Sequence, residues 1–459
     1  MEFKEILRFA DNVFYEQTGK HLNDLQRNIL QQTLQGHKYA QIATQNGCKV
    51  DYVREVASEL WKALSANLGE KVTKSNVRVT LERAGFSIIS SSIQDSFKDI
   101  NNINFCGNAA QPRDTQKNLA SDTPYLDLDD APTPTIFYGR TQELDSLKTC
   151  ILEQKNRLIN IFGLTGIGKS ALTLKLIEQI KDNFDFVIWR SVSHFSIAET
   201  LESDLIEVVS QQEESVKARQ QTKEKQVKGK LRTLIQYFRQ YRCLIILDDG
   251  QELFEKEKLA GEYQPQSQEY GTFFKQLGEV NHQSCIILNS WETPREIQIL
   301  SEDKKLVTVL QLKGLGEAAK AILSENHLAD EDTWEELINI YQGHPLWLKL
   351  IATTIQDLCS GKVSQCWQYQ KILLTDDLKA ILNLQIQRLA PLEKQILNYL
   401  SSSTNPLTIS EILPHLNDSP VNTFNAIKSL KKRCLIEQLN NQEAQFTLTP
   451  VIKQYCLAQ

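Results

Sequence analysis

The sequence predicts a multidomain chain: a helical N-terminal module, an α/β core built on a parallel sheet, and a largely helical C-terminal part. Three observations carry this. The 459 residues correspond to about three domains at roughly 150 residues each. The middle of the chain alternates short apolar strands with helical segments, and helical patterning lies on both sides of that block. A polar stretch of low apolar periodicity separates the first module from the core. Hydrophobic residues at 41% and charged residues at 24% are ordinary globular values and exclude a disordered chain. The net charge of −6 excludes a chain that coats a polyanion.

Residues 1–88 form the first module. Within 23–83, Leu25–Leu30, Lys38–Ala43, the turn Asn46-Gly47-Cys48 and Asp51–Ala57 give helix, helix, glycine-containing turn, helix, which is a helix-turn-helix arrangement. Ile42 and Ala43 face Val53 and Val56 across the crossing, and Trp61, Leu64 and Leu68 extend the stripe. Such folds serve both as DNA readers and as protein adaptors. Residues 38–83 carry eight Lys/Arg against five Asp/Glu, a mild excess that leaves both uses open. DNA contact through 23–83 would show as affinity falling steeply with salt, which separates the two.

Residues 89–131 read as a linker, from Ser90-Ser91-Ser92 to the acidic run Asp127-Leu128-Asp129-Asp130. The core follows at 132–312. Its strand candidates are Leu158–Phe162, Asp185–Arg190, Cys243–Leu247, Cys285–Leu288 and Leu306–Leu310. They are rich in Ile, Leu and Val and do not alternate, as strands buried on both faces do not. Helical segments such as Ser170–Ile180 and Val227–Tyr241 lie between them, so the strands are expected to run parallel. No internal repeat of roughly 20–50 residues is visible.

The sharpest local signal is Gly163-Leu164-Thr165-Gly166-Ile167-Gly168-Lys169-Ser170, with a strand before it and a helix after it. The glycines let backbone N–H groups of Thr165 to Ala171 curl around phosphate oxygens, and the helix N-terminus adds its positive end. Lys169 is expected to reach the β- and γ-phosphates, and the Ser170 hydroxyl to ligate Mg2+. Downstream, the apolar strand Leu244–Leu247 ends in Asp248-Asp249. Asp248 is expected to hold the same ion, and Asp249 to polarise a hydrolytic water as the catalytic group.

With their neighbours, these motifs resemble the NB-ARC branch of the STAND ATPases, which are signal-transduction switches. Phe137-Tyr138-Gly139-Arg140 resembles the entry motif before the phosphate loop, Phe184–Trp189 the strand after its helix, and Gly343-His344-Pro345 the Gly-x-Pro motif whose proline packs near adenine. The resemblance implies Arg140 and Pro345 as nucleotide-binding residues, a helical domain at 313–380 and a winged helix at 381–459. The winged helix is carried by Leu392–Leu397, Thr408–Leu413, Leu430–Ile436 and Phe446–Pro450. There, Lys431-Lys432-Arg433 reads as a solvated helix end suited to the dipole. Residues 23–83 resemble the N-terminal module of cyanobacterial proteins associated with von Willebrand A and MoxR-type systems.

Two departures bear on activity. The family ends its fourth core strand in an arginine that senses the γ-phosphate, and here Trp291 stands in its place, with Arg295 near in sequence. Loss of that charge implies slow hydrolysis at most. Where relatives carry a histidine that touches the bound diphosphate, this chain has Thr449. The implied function is an ATP/ADP-binding switch that self-associates when ATP-bound. The alternative is a nucleotide-controlled DNA-binding regulator. Relatives generally continue into sensor repeats while this sequence stops at Gln459, so the resemblance implies either a separate sensor or effector protein as partner or a shortened descendant of a repeat-bearing relative. No apolar run approaches the roughly 18 residues of a membrane span, and the start carries no signal-peptide core. The nine cysteines, with no Cys-x-x-Cys pair, read as buried reduced thiols of a cytoplasmic protein.

Overall fold

The computed structural model describes residues 24–34, 48–68, 124–133, 136–217, 229–303, 306–440 and 443–459, with positions 10, 11, 13, 14, 20, 22, 42, 43 and 77. It divides into two units, residues 1–115 and 116–459. In the first, α1 (Asp24–Leu34) and α2 (Val50–Leu68) enclose a core of Ile29, Leu30, Ile42, Ala43, Val53 and Trp61. The four residues expected at the helix crossing are all in that core, and the Cys48 N–H closes the turn onto the Ala43 carbonyl at 3.0 Å. Lys38–Gln41, Asn46-Gly47 and most of the 89–131 linker lie outside the described residues.

In the second unit a six-stranded parallel sheet forms the centre. Its elements in chain order are β1 (Tyr125–Asp127), α3 (Thr141–Lys148), β2 (Leu158–Phe162), α4 (Lys169–Ile180), β3 (Phe186–Ser191), α5 (Ala198–Lys217), α6 (Lys230–Gln240), β4 (Cys243–Asp248), α7 (Glu269–Glu279), β5 (Cys285–Ser290), α8 (Arg295–Asp303) and β6 (Val307–Gln311). The spatial order is β1-β3-β4-β5-β2-β6, with every neighbouring pair parallel. All five expected strands are present, Leu158–Phe162 with the expected bounds and the others with ends shifted by at most two residues. Their lack of alternation has a clear cause: one face packs under Phe238, Phe273 and Phe274, the other under Leu172, Leu176 and Ile177. Trp189, expected in a strand, is fully buried.

The stretch read as linker is corrected at its C-terminal end, where Tyr125–Asp127 adds an edge strand to β3. It escapes a sequence reading because its acids are satisfied from far away. Asp127 pairs with Arg190 at 2.7 Å.

Beyond the sheet come α9 (Lys320–Glu325), α10 (Trp334–Ile340), α11 (Pro345–Cys359), α12 (Val363–Trp367) and α13 (Asp376–Ile386). The expected boundary at 380 falls inside α13. The chain then forms α14 (Pro391–Ser402), β7 (Leu407–Thr408), α15 (Ile409–Ile412), α16 (Pro420–Lys432), β8 (Glu437–Asn440), β9 (Ala444–Thr447) and α17 (Pro450–Leu457). The three short strands make an antiparallel sheet in the order β7-β9-β8.

The cysteine reading holds for Cys243 and Cys285, which are buried and free. It fails for Cys359 and Cys366, which form a disulfide. The chain turns back at Ser360-Gly361, both at positive φ, and brings their Cα atoms within 5.9 Å, inside the range a disulfide spans. Among the described residues no helix is long and apolar enough to cross a membrane.

Candidate nucleotide-binding site

The loop 163–168 joins β2 to α4 at the carboxyl end of the parallel sheet, where ligands of α/β folds bind. Its shape requires glycine. Gly166 sits at φ 75°, and a Cβ there would lie 2.4 Å from the Leu346 side chain. That contact also brings the N-terminus of α11, which begins at Pro345, against the loop. Arg140 reaches the loop from the other side. It is buried, with Nη2 donating to the Ile167 carbonyl at 3.0 Å and Nη1 to Glu143 at 2.8 Å. Both residues implied by the resemblance thus stand at the loop, Arg140 by bonding its backbone and Pro345 by starting the helix that touches it.

Lys169 is the first residue of α4 and is buried. Its Nζ donates to the carbonyls of Gly163 at 3.0 Å and Leu164 at 3.1 Å. Burial pulls the ammonium down to about 8, opposed by Asp248, Cys434 and Asp249. Asp248 ends β4, and burial together with Asp249 pushes its carboxyl up to about 6 against a bond from the Ser170 hydroxyl. A cation between Ser170 and Asp248 reverses that balance. A buried lysine turned back on loop carbonyls and a carboxyl disfavoured as an anion are groups that phosphate and Mg2+ would each relieve, so the residues present fit a nucleotide with its metal. His344 completes the wall. It is buried, stacked on Trp347 with ring centroids 4.1 Å apart, and lies beside the Thr165 backbone. Burial first, then Lys169, pulls its imidazole down to about 3, so it stands neutral at the loop.

Because phosphate oxygens favour the charged lysine, nucleotide binding above pH 8 must take up a proton. In the absence of divalent cation, affinity is expected to fall about tenfold per pH unit above that value. A fluorescent-ADP titration across alkaline pH reads this directly. A flat profile to pH ~10 would show that Lys169 keeps its proton in the free protein.

Asp249 adopts φ 57°, the left-handed region that Asp enters more readily than most residues. Its two carboxylate oxygens accept from Ser191 Oγ at 2.9 Å and Gln251 Nε2 at 3.1 Å.

The site also contains residues the sequence reading did not single out. Asn289, near the end of β5, accepts from Thr173 of α4 at 3.1 Å, and its Nδ2 has no protein partner among the described residues. Cys434 lies near enough to Lys169 for their charges to interact, and its Sγ accepts from Gln311 at 3.1 Å. Thr449, the position expected near the diphosphate, caps α17 by accepting from the Ile452 N–H. Trp291 lies against Arg388, whose guanidinium is 5.6 Å from the ring centre. Arg295 is exposed at the start of α8.

The reading of Arg433 as a solvated helix end is corrected. It is buried, 3.0 Å from Glu292 and 3.6 Å from Glu393, and donates to the carbonyls of Arg388 at 3.1 Å and Lys258 at 2.7 Å. Arg388 in turn donates to the Phe254 carbonyl at 2.9 Å and to that of Gln251. The segment 250–261, directly after Asp249, is therefore gripped by two arginines from the C-terminal part of the chain.

A glycine loop wrapped at a helix N-terminus, with a buried lysine and a strand-ending acid opposite, defines a P-loop nucleotide-binding core. Residues 140–271 match the family model of the NB-ARC domain, and residues 1–84 that of the vWA-MoxR associated protein N-terminal HTH. The chain therefore contains a match to each of these two domain families. A WD repeat-containing protein of Nostoc sp. is 33% identical over 355 residues, covering 74% of this chain and 28% of the relative. The disease resistance protein RPS5 of Arabidopsis thaliana is 30% identical over 90 residues, 19% of this chain and 10% of that protein. The chain thus spans about a quarter or less of the length of these relatives. Among solved structures, a STAND protein with a tetratricopeptide repeat sensor from Pyrococcus horikoshii is similar at 18% identity and TM-score 0.33, over 71% of this chain and 43% of that one.

Proposed function

We propose that this chain is an ATP/ADP-operated signal-transduction switch whose C-terminal part closes over the nucleotide. The carrying observation is convergence at one point. Lys169 and Asp248 come from the core, and Cys434 comes from the turn after α16 to stand near enough to the same lysine for their charges to interact. The order helix, strand, two helices and a two-stranded hairpin from α14 to β9 supports a winged-helix reading of residues 381–459. In the ADP-bound state this lid is closed; a γ-phosphate competes for the space that Cys434 faces and shifts the population toward an open form. Such a shift can be no larger than the difference in affinity between the two states.

Backbone N–H groups of the loop and Lys169 hold the phosphates, and Ser170 and Asp248 hold Mg2+, which supplies charge neutralisation at the phosphates. Asp249 orients the water and takes its proton as the water oxygen bonds the γ-phosphorus and ADP leaves. With Trp291 packed under Arg388, this site has no sensor arginine at the strand end, which supports slow turnover. Residues 1–88 then act as the adaptor or output module toward a separate effector protein in the cytoplasm.

The test is size-exclusion chromatography of the full chain. With Mg2+ and a non-hydrolysable ATP analogue it is expected to elute as a larger species than with ADP. Identical elution in both would sink the switch reading while leaving nucleotide binding intact.

A further inference from the structure

Asp249 is the group read here as handling the attacking water, and its carboxylate is held by contacts that lead out of the nucleotide site. The parallel register of β3 on β4 sets Ser191 opposite Asp248, so its hydroxyl falls next to Asp249. Ser191 Oγ donates to one Asp249 oxygen at 2.9 Å and lies 2.7 Å from Ser193 Oγ, which supplies a hydrogen in turn. The Ser191 N–H donates to Asp130 at 3.1 Å, and His194 approaches the same Asp130 oxygen at 3.5 Å.

Asp130 belongs to the segment that precedes the core, just after the edge strand β1. That segment is seated by a built clamp. Arg190, adjacent to Ser191, is nearly buried between Asp127 at 2.7 Å and Asp204 at 2.6 Å. The Tyr125 N–H joins the sheet at the Asp185 carbonyl at 2.9 Å. Asp127 and Asp130 lie three residues apart on a turn closed by the Ala131 N–H on the Leu128 carbonyl. One ties the segment to Arg190, and the other ties it to the backbone of Ser191. The segment 124–131 is thus fastened to Arg190 and to Ser191, the residue that bonds Asp249.

We propose that Ser191 is a positioning residue for Asp249 and that Asp130 seats Ser191, so that docking of the 124–131 segment sets the rate of hydrolysis. The proposal rests on the reading of Asp249 above. The physical reason is rotational. Asp249 is exposed at the head of β4 and has Gln251 on one oxygen only, so without Ser191 the carboxylate turns freely about its side-chain bonds. Removing one oriented hydrogen bond from such a group is expected to slow the step about tenfold without touching the groups that hold the nucleotide.

The experiment uses the full chain. Fluorescent-ADP affinity and single-turnover ATP hydrolysis are measured for wild type, Ser191→Ala, Ser191→Thr, Asp130→Asn and Asp249→Ala. Ser191→Ala and Asp130→Asn are expected to keep affinity within about twofold and to lose about tenfold in rate, and Ser191→Thr, which keeps the hydroxyl, to recover most of it. In the Asp249→Ala background Ser191→Ala is expected to cost nothing further, because the two act as one unit. Equal rates for wild type and Ser191→Ala, or losses that add in the double variant, overturn the proposal. So does a wild-type chain that binds nucleotide but never turns it over. A wild-type chain that fails to bind nucleotide removes the underlying reading as well, and the affinity measurement distinguishes that failure.

Discussion

Lys169→Ala is expected to weaken nucleotide binding by at least about a hundredfold, close to 3 kcal/mol, while leaving the fold intact. The two halves of this expectation have one cause. Lys169 places its ammonium in a dry site, where among the described residues it donates to the carbonyls of Gly163 and Leu164. Burial lowers its proton affinity to about 8 from the usual 10.5, so holding it charged costs the empty fold on the order of 3 kcal/mol. The sign follows from the direction of the shift. Below pH 8 the lysine is charged both folded and unfolded and the full penalty is present; between 8 and 10.5 the folded form sheds its proton and the penalty fades. Alanine removes that cost along with two hydrogen bonds, so a thermal midpoint within a few degrees of wild type is expected. Phosphate binding, by contrast, loses the buried ammonium expected to reach the phosphates. Fluorescent-ADP titration of both proteins gives the comparison. Equal affinity in a folded Lys169→Ala chain would defeat the assignment of this loop as the phosphate site.

The parts of this molecule that sequence made legible are those whose physics is local. The glycines of 163–168 are dictated by backbone conformation, and the strands of the sheet by burial on both faces, so each announces itself within a few residues. The parts that stayed hidden are satisfied at a distance. The edge strand at Tyr125–Asp127 reads as acidic linker until Arg190 is seen beside it. Arg433 sits in a run of three basic residues and reads as solvated, because nothing near it in sequence shows that Glu292 and Glu393 wait on other elements. The Cys359–Cys366 bridge depends on a reversal at Ser360-Gly361 that a spacing of seven does not reveal. The local signal that could have found Asn289 is a polar residue near the end of an otherwise largely apolar strand, and its side chain is fully buried. Trp291, after the end of β5, has a ring partner, Arg388, that lies far along the chain and so is not visible from the local sequence.

Arg433→Ala is expected to detach the C-terminal part of the chain from the core and to cost about 3–5 kcal/mol of stability, the range for removing one partner of a buried ion pair. Glu292 and Glu393 are both buried, burial raises the proton affinity of each, and the charge of Arg433 is the strongest influence opposing that rise in both. Without it, two carboxyl groups are left facing one another at the junction, with Arg388 engaged on the carbonyls of Gln251 and Phe254. Arg433→Lys is expected to recover only part of the loss, since a single ammonium replaces a fork that bonds the carbonyls of Arg388 and Lys258 at the same time. The partner change Glu292→Gln in the Arg433→Ala background is expected to return stability by removing one stranded charge. Two measurements read this: denaturant unfolding of the full chain, and hydrogen exchange over residues 388–393 and 429–436. In the detached form, exchange in both stretches rises together, and bound ADP leaves faster because Cys434 no longer stands near Lys169. Unchanged exchange with an unchanged midpoint would mean that the junction is held by its apolar packing, and that the lid does not depend on this arginine.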